Sequence, residues 1–437
     1  MFKTLINAFK IEQLRKRIFY TFWIILVVRL GCQLPIPGID AAQVQAYLQS
    51  VVGSSYSFID SFTGGSFLSM SVFALSVTPY ITASIIMQLL TIAIPALEEM
   101  QRDGEDGRKK MNKITRYVSV GLAIIESAGL SIGFSRQGAL TDTGVFTILT
   151  IIVTLTAGSC IIMWLGERIS DKGIGNGISI ILLINIVSRM PNDFSNLYIM
   201  FVKGKDIVQS VIAVCIIVAV VIGTTILVII LQDAERRIPV QYSKKVQGRK
   251  MAGGQSSYIP LKVNTAGVIP IIFASSLLSV PSIIINLFNM NVGTTAQKIM
   301  QGLNQNYWFN AEYPWASIGL IIYIVLNIIF AYFYTSITFN PMEVANNMKK
   351  SGGFIPGIRP GKTTQDYLNK ILNYIVLIGV IGLLIVALIP IFFNGAFKAD
   401  VSFGGTSLII IVGVILETMK QLESQMLVRN YSGFLNN

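Results

Sequence analysis

Apolar residues in this chain come in long unbroken runs, not in short alternating patterns. A run of about 20 apolar residues crosses a bilayer as helix, because no water there can satisfy an exposed backbone group. Ten runs are predicted as spans, at 19–33, 72–93, 117–134, 145–165 and 174–187, then 207–231, 266–288, 315–339, 371–393 and 408–422. The last run of each set is weak. The fifth contains Asn176, Gly177, Ser179 and Asn185, and the tenth soon reaches Glu417.

Composition agrees with that pattern. Of the 437 residues 53% are hydrophobic and 13% charged, whereas soluble domains carry roughly 25% charged residues. The placement of charge then predicts topology. If both termini are cytoplasmic, 27 of the 34 lysines and arginines fall on the cytoplasmic side, and Arg136, Arg189, Lys203, Lys205, Lys298 and Lys398 on the other, with Arg29 inside the first span. Such an excess is the positive-inside signal. The net charge of +12 therefore needs no nucleic acid to explain it.

An internal symmetry is visible too. The second span carries Pro79 and the seventh Pro270 and Pro281, while the fifth and tenth both read as short. Matched interruptions in two five-helix halves, inverted because five is odd, point to a pathway between the halves. The chain thus divides into an N-terminal half, 1–190, and a C-terminal half, 191–437. Two long basic cytoplasmic loops, 232–265 and 340–370, belong to the second half. Connections beyond about 15 residues are uncommon unless functional, and their basicity suits an acidic docking partner as well as simple topology.

Several chemistries are disfavoured. No histidine is present, and Cys32, Cys160 and Cys215 lie far apart in or beside apolar runs, a spacing that fits neither metal site nor disulfide framework. The first apolar run ends at Pro35 and Pro37, not at a small-residue cleavage site. GIRPGKT, from Gly357, ends like a phosphate-binding loop, but Pro356 stands where that motif needs its first glycine. GIGNGIS, from Gly173, has the wrong glycine spacing for a dinucleotide fingerprint and no strand before it.

Two features remain open on the residues alone. Glu126 sits mid-span, where a carboxylate costs a few kcal/mol unless it faces protein or water; it is either a hydrogen-bonded structural group or a polar group at a water-accessible helix interface. Residues 58–69, FIDSFTGGSFLS, are apolar, too short to cross and on the outer side. They lie at the interface or re-enter the protein, which requires a protein or water surround.

The stretches FTGGSFLSMSVFALSVTPYITASIIMQLL, MWLGERISDKGIGNGISI, KVNTAGVIPIIFASSLL, KKSGGFIPGIRPGKTTQDYL and FGGTSLIIIVGVILE resemble signature segments of the SecY family, in family order along the whole chain. The composition and the ending VRNYSGFL look like a low-GC Gram-positive bacterial version. The resemblance implies an all-α membrane protein with ten transmembrane helices in two inverted pseudo-symmetric halves around a central pore. The second and third spans would face the seventh and eighth across a lateral gate, where Glu126 would be a polar group. It implies a pore ring of Ile81, Ile85, Leu182, Ile186, Ile272 and Ile410; the pairs 81/85 and 182/186 each share a helix face by their spacing of four. Residues 58–69 would be a plug, carried by Phe58, Ile59, Phe62, Gly64, Gly65 and Phe67. Arg249, Lys250 and Arg359 would dock a SecA motor or ribosome.

The function so implied is conduction of unfolded polypeptide across a bacterial plasma membrane, with lateral release of apolar segments into lipid. SecE, SecG, SecA, the ribosome and signal-bearing preproteins are the implied partners. No DNA, no cofactor and no catalysis by the chain itself are expected. A narrow apolar ring can close on an extended peptide without hydrogen-bonding it, and when empty it discourages water and ions. The rival reading is a secondary transporter with inverted five-helix repeats, which would need a polar mid-membrane site where the chain offers mainly Glu126. A scaffold without a pore is the third.

Overall fold

The computed structural model describes residues 2–40, 43–44, 60, 62–136, 138, 140, 142, 144–204, 206–242, 245–247, 250–252, 256–288, 298–299, 302–304, 308–309, 314–397 and 405–435. Each of the ten apolar runs falls on a helix. The first half holds α1 (Phe2–Lys10), α2 (Glu12–Gly31), α3 (Thr78–Ala93), α4 (Pro95–Arg102), α5 (Gly104–Arg136), α6 (Val145–Lys172) and α7 (Gly177–Phe201). The second holds α8 (Ile207–Asp233), α9 (Ile269–Phe288), α10 (Ile318–Thr338), α11 (Pro341–Lys350), α12 (Lys362–Phe397) and α13 (Gly405–Leu435). Among the described residues, five helical stretches are each long and apolar enough to cross a membrane alone, namely α5, α6, α8, α12 and Trp315–Lys350, which includes α10. α3 with α4 makes a sixth if the pair counts as one span; it bends by 110° at Ile94, whose extended backbone precedes Pro95. α8 has mostly exposed apolar side chains, among them Ile207, Val208, Val211 and Ile212, and buries only Thr224, Val228 and Leu231.

Helix adjacency is built twice. α2 packs on α6 and α7, α3 on α5, α5 on α6, and α6 on α7. In the second half α8 packs on α12 and α13, α9 on α10, α10 on α12, and α12 on α13. α3 and α9 also start alike, with Pro79 and Pro270 as their second residues. There a proline costs nothing, because its missing N–H would have had no helical partner. The halves meet where α7 touches α8 and α13 and α1 touches α13, and again where α5 touches α9.

Three expectations need revision. The fifth and tenth helices are not short: α7 has 25 residues and α13 has 31. α7 continues past Val187 through Arg189, Asn192 and Asp193, polar residues that ended the apolar run early. The boundary expected at 190/191 consequently falls inside α7, which ends at Phe201 before α8 starts at Ile207. The loops 232–265 and 340–370 are also not plain loops. β1 (Glu235–Tyr242) pairs antiparallel with β4 (Ser256–Lys262), with Ile238 opposite Ile259. Between them β2 (Lys245–Gln247) pairs with β3 (Lys250–Ala252). β5 (Gly353–Phe354) adds to the free edge of β1, with Gln241 opposite Phe354. Both loops share a core of Ile238, Val240, Leu261, Met348, Ile355 and Leu368, so they form one platform.

Candidate functional site

Between α2 and α3, Asp60, Phe62 and Thr63 are helical and residues 64–77 run on through a tight series of turns. Gly64 and Gly65 make this possible with φ of +69° and +88°, a region costly to any side chain but glycine. The segment secures itself first. Asp60 accepts at its backbone oxygen from Gly65 N and Thr63 Oγ1, and at Oδ1 from Leu68 N at 3.0 Å. Phe67 then enters an apolar cluster with Met70, Leu75, Phe134, Ile151 and Leu155. Phe62 enters another that holds Leu182, Phe73 and Ile162, with Ile81 packed against it.

Polar contacts fix the same segment to α2 and α7. Asn185, buried in α7, donates from Nδ2 to Phe62 O and to Ser76 Oγ, both at 3.1 Å. Arg29, in the last turn of α2, donates from Nη1 to Gly64 O and to Asn185 Oδ1, both at 3.4 Å. Arg189 Nη2 lies 2.8 Å from Asp60 Oδ2. This is a charge contact without hydrogen-bond alignment, since Asp60 Oδ2 and Arg189 Nε have no hydrogen-bond partner among the described residues. Burial raises the Asp60 carboxyl above its ordinary value, opposed by Arg189 and reinforced by nearby Asp193. Asn185, Arg189 and Asp193 are four residues apart and so share one face of α7, beside the face of Leu182 and Ile186.

Of the residues expected to form a ring, Ile81 and Leu182 share one cluster, with Phe62. Ile85, Ile186 and Ile410 are buried and Ile272 is half-buried, but none of these four joins that cluster. Phe58 and Ile59 lie outside the described residues. So does Arg249, while Lys250 opens β3 opposite Gln247. Arg359 is exposed on the platform, and its carbonyl accepts from buried Thr364 Oγ1 at 2.8 Å. Glu126 is half-buried on α5, the helix that meets α9, and makes no hydrogen bond or ion pair to a described residue. GIGNGIS is a structural turn: Asn176 Oδ1 caps α7 by accepting from Ile178 N and Ser179 N.

Residues 62–77 are thus packed among α2, α3, α6 and α7, all of the first half. The family model SecY matches residues 71–419. The chain belongs to the SecY family. It is 44% identical to the protein translocase subunit SecY of Streptomyces coelicolor, over 98% of both chains, and 40% identical to that of Mycobacterium bovis, over the whole of both. The fold of this SecY-family chain resembles that of a solved protein-conducting channel, with a TM-score of 0.63 and 17% identity over 94% of this chain and 92% of the other. It also resembles Sec61 in a canine ribosome–channel complex, with a TM-score of 0.60 and 18% identity over the same shares.

Asp60, Asn185, Arg189 and Asp193 escaped the sequence reading as site residues. The signal that could have found them is a polar residue every fourth position, at 185, 189 and 193, within and just beyond an apolar run.

Proposed function

We propose that the chain is the channel subunit of a bacterial protein translocase, conducting unfolded polypeptide across the plasma membrane and releasing apolar segments sideways into lipid. It performs no chemistry; SecA with ATP, or the translating ribosome, drives transport, and SecE and SecG accompany it. Both termini face the cytoplasm, where the basic loops and the β-platform meet the motor or ribosome through Arg249, Lys250 and Arg359.

The observation that carries this reading is the meeting of Phe62 with Ile81 and Leu182 between α3 and α7. It supports a closed constriction with residues 58–69 as plug, and Ile85, Ile186, Ile272 and Ile410 complete the ring. The transporter reading is not favoured. Its mid-membrane polar site reduces to Glu126, which is without a described partner.

Reconstituted with SecA and ATP, the channel is expected to carry a preprotein into vesicles, whereas uptake of small solutes without a motor would overturn the reading. Ile410→Asn tests the ring in the same vesicles. Within the ring it hydrates the constriction, raising ion conductance per folded channel. In ordinary packing it leaves a buried amide unsatisfied, at about 1–3 kcal/mol, and lowers folded yield without a leak. Ile321→Asn, on an exposed position of α10, is the control.

A further inference from the structure

The apolar contacts of Phe62 with Ile81 and Leu182 change little in kind if a passing peptide takes the place of Phe62. The polar contacts of residues 60–64 are different, because leaving the closed position loses them outright. Two of them, from Arg29 and Asn185, go to backbone carbonyls of Gly64 and Phe62. The third pairs Arg189 with Asp60, fully buried and the sole carboxylate of 60–67. The fit is close as well: a Cβ at Gly64 would lie 2.6 Å from Arg29 Nη1 and 2.9 Å from Asn185 Cα.

We propose that Arg29, Asn185 and Arg189 are positioning residues that seat segment 60–67 in the closed channel, and that this polar seat sets the threshold for opening. The assignment rests on reading 58–69 as the plug. It gives a role to an arginine inside the first span, a placement that usually marks function. It also explains why the seat can be left. A buried ion pair is held against the cost of removing both charges from water, so its net stabilisation is modest. Arg189 is also not sealed in, with its side chain 21% exposed, so water can reach it as the segment moves. A seat of this kind holds at rest yet yields to the binding energy of a signal segment.

The test measures resting ion conductance per folded channel in planar bilayers, using the full-length chain and four variants. Asp60→Asn and Arg189→Gln are each expected to raise conductance about tenfold, the ratio given by 1.4 kcal/mol. The double variant is expected to match the larger single effect, because the second change has no pair left to break. Arg189→Lys keeps the charge and is expected to leak less than Arg189→Gln. Deleting residues 60–67 separates this proposal from the reading beneath it. If the deletion leaves conductance at the parent level, the plug reading fails. If the deletion leaks but both single variants stay at the parent level, the seat fails and the plug stands. Effects that multiply in the double variant, or a lower folded yield with no leak, also overturn the seat.

Discussion

Gly64 has no room for a side chain. Its φ of +69° already disfavours any other residue, at roughly 1–2 kcal/mol, and an added methyl would strike both Arg29 and the α7 backbone. Gly65 has a similar φ of +88°, but its Cβ would meet Arg189, with Cδ at 3.6 Å and Nη1 at 3.9 Å, ordinary contacts. Gly64→Ala is thus expected to displace the segment and raise resting conductance clearly above that of Gly65→Ala, which carries the backbone strain alone. Equal conductance in the two would show that φ, not the close approach to Arg29 and Asn185, is what the position requires. At this scale the sequence was readable where a shared helix face follows from a spacing. Ile81 and Ile85, or Leu182 and Ile186, are placed on one face by their numbers alone. The seat was not readable, because Arg29, Gly64 and Asn185 are far apart in the chain and the grips go to backbone carbonyls, which leave no trace in side-chain identity.

Among the elements, the helices declared themselves and their ends did not. Each run falls on a helix, but α7 was cut short at Val187 because Arg189 and Asp193 look like a loop until the buried Asp60 is known to face them. The strands of the platform were missed for another reason. Ile238 and Val240 alternate inward and Leu261 faces the same core, yet Pro239, Pro260 and the run of arginines and lysines hide that short period. The platform makes a prediction about docking. Arg359 is exposed and Lys250 opens β3, so Arg359→Glu with Lys250→Glu reverses two charges of the basic loops, and exposed positions generally bear such changes with little effect on folding. Motor or ribosome binding is expected to weaken about tenfold at low salt, and the parent's own affinity to fall as salt screens the contact. Val240→Asp acts differently, placing a carboxylate in the shared core of both loops and lowering the amount of folded protein. Unchanged binding by the double charge variant at low salt would reduce these residues to topology markers.

For the whole molecule, the two sides on which the halves meet are unequal. On one, α7 touches α8 and α13, and the chain itself passes from α7 to α8 through residues 202–206. On the other, α5 touches α9 with no covalent link nearby, and Glu126 lies half-buried on α5. A body of two similar halves joined by a short connection opens most easily on the side away from it, as hinge motions do. The α5–α9 contact is therefore the expected exit to lipid. With Cys32, Cys160 and Cys215 replaced by alanine, cysteine pairs can be walked along α5 and α9; only pairs with Cα atoms within about 7 Å will close a disulfide. A closed α5–α9 bridge is expected to stop insertion of membrane segments, with full recovery on reduction. A bridge between α7 and α8 should leave insertion intact, since those helices need not part. Insertion at the parent rate through a fully oxidised α5–α9 pair would place the exit elsewhere, and the duplicated helix adjacency would then describe an architecture without describing how it opens.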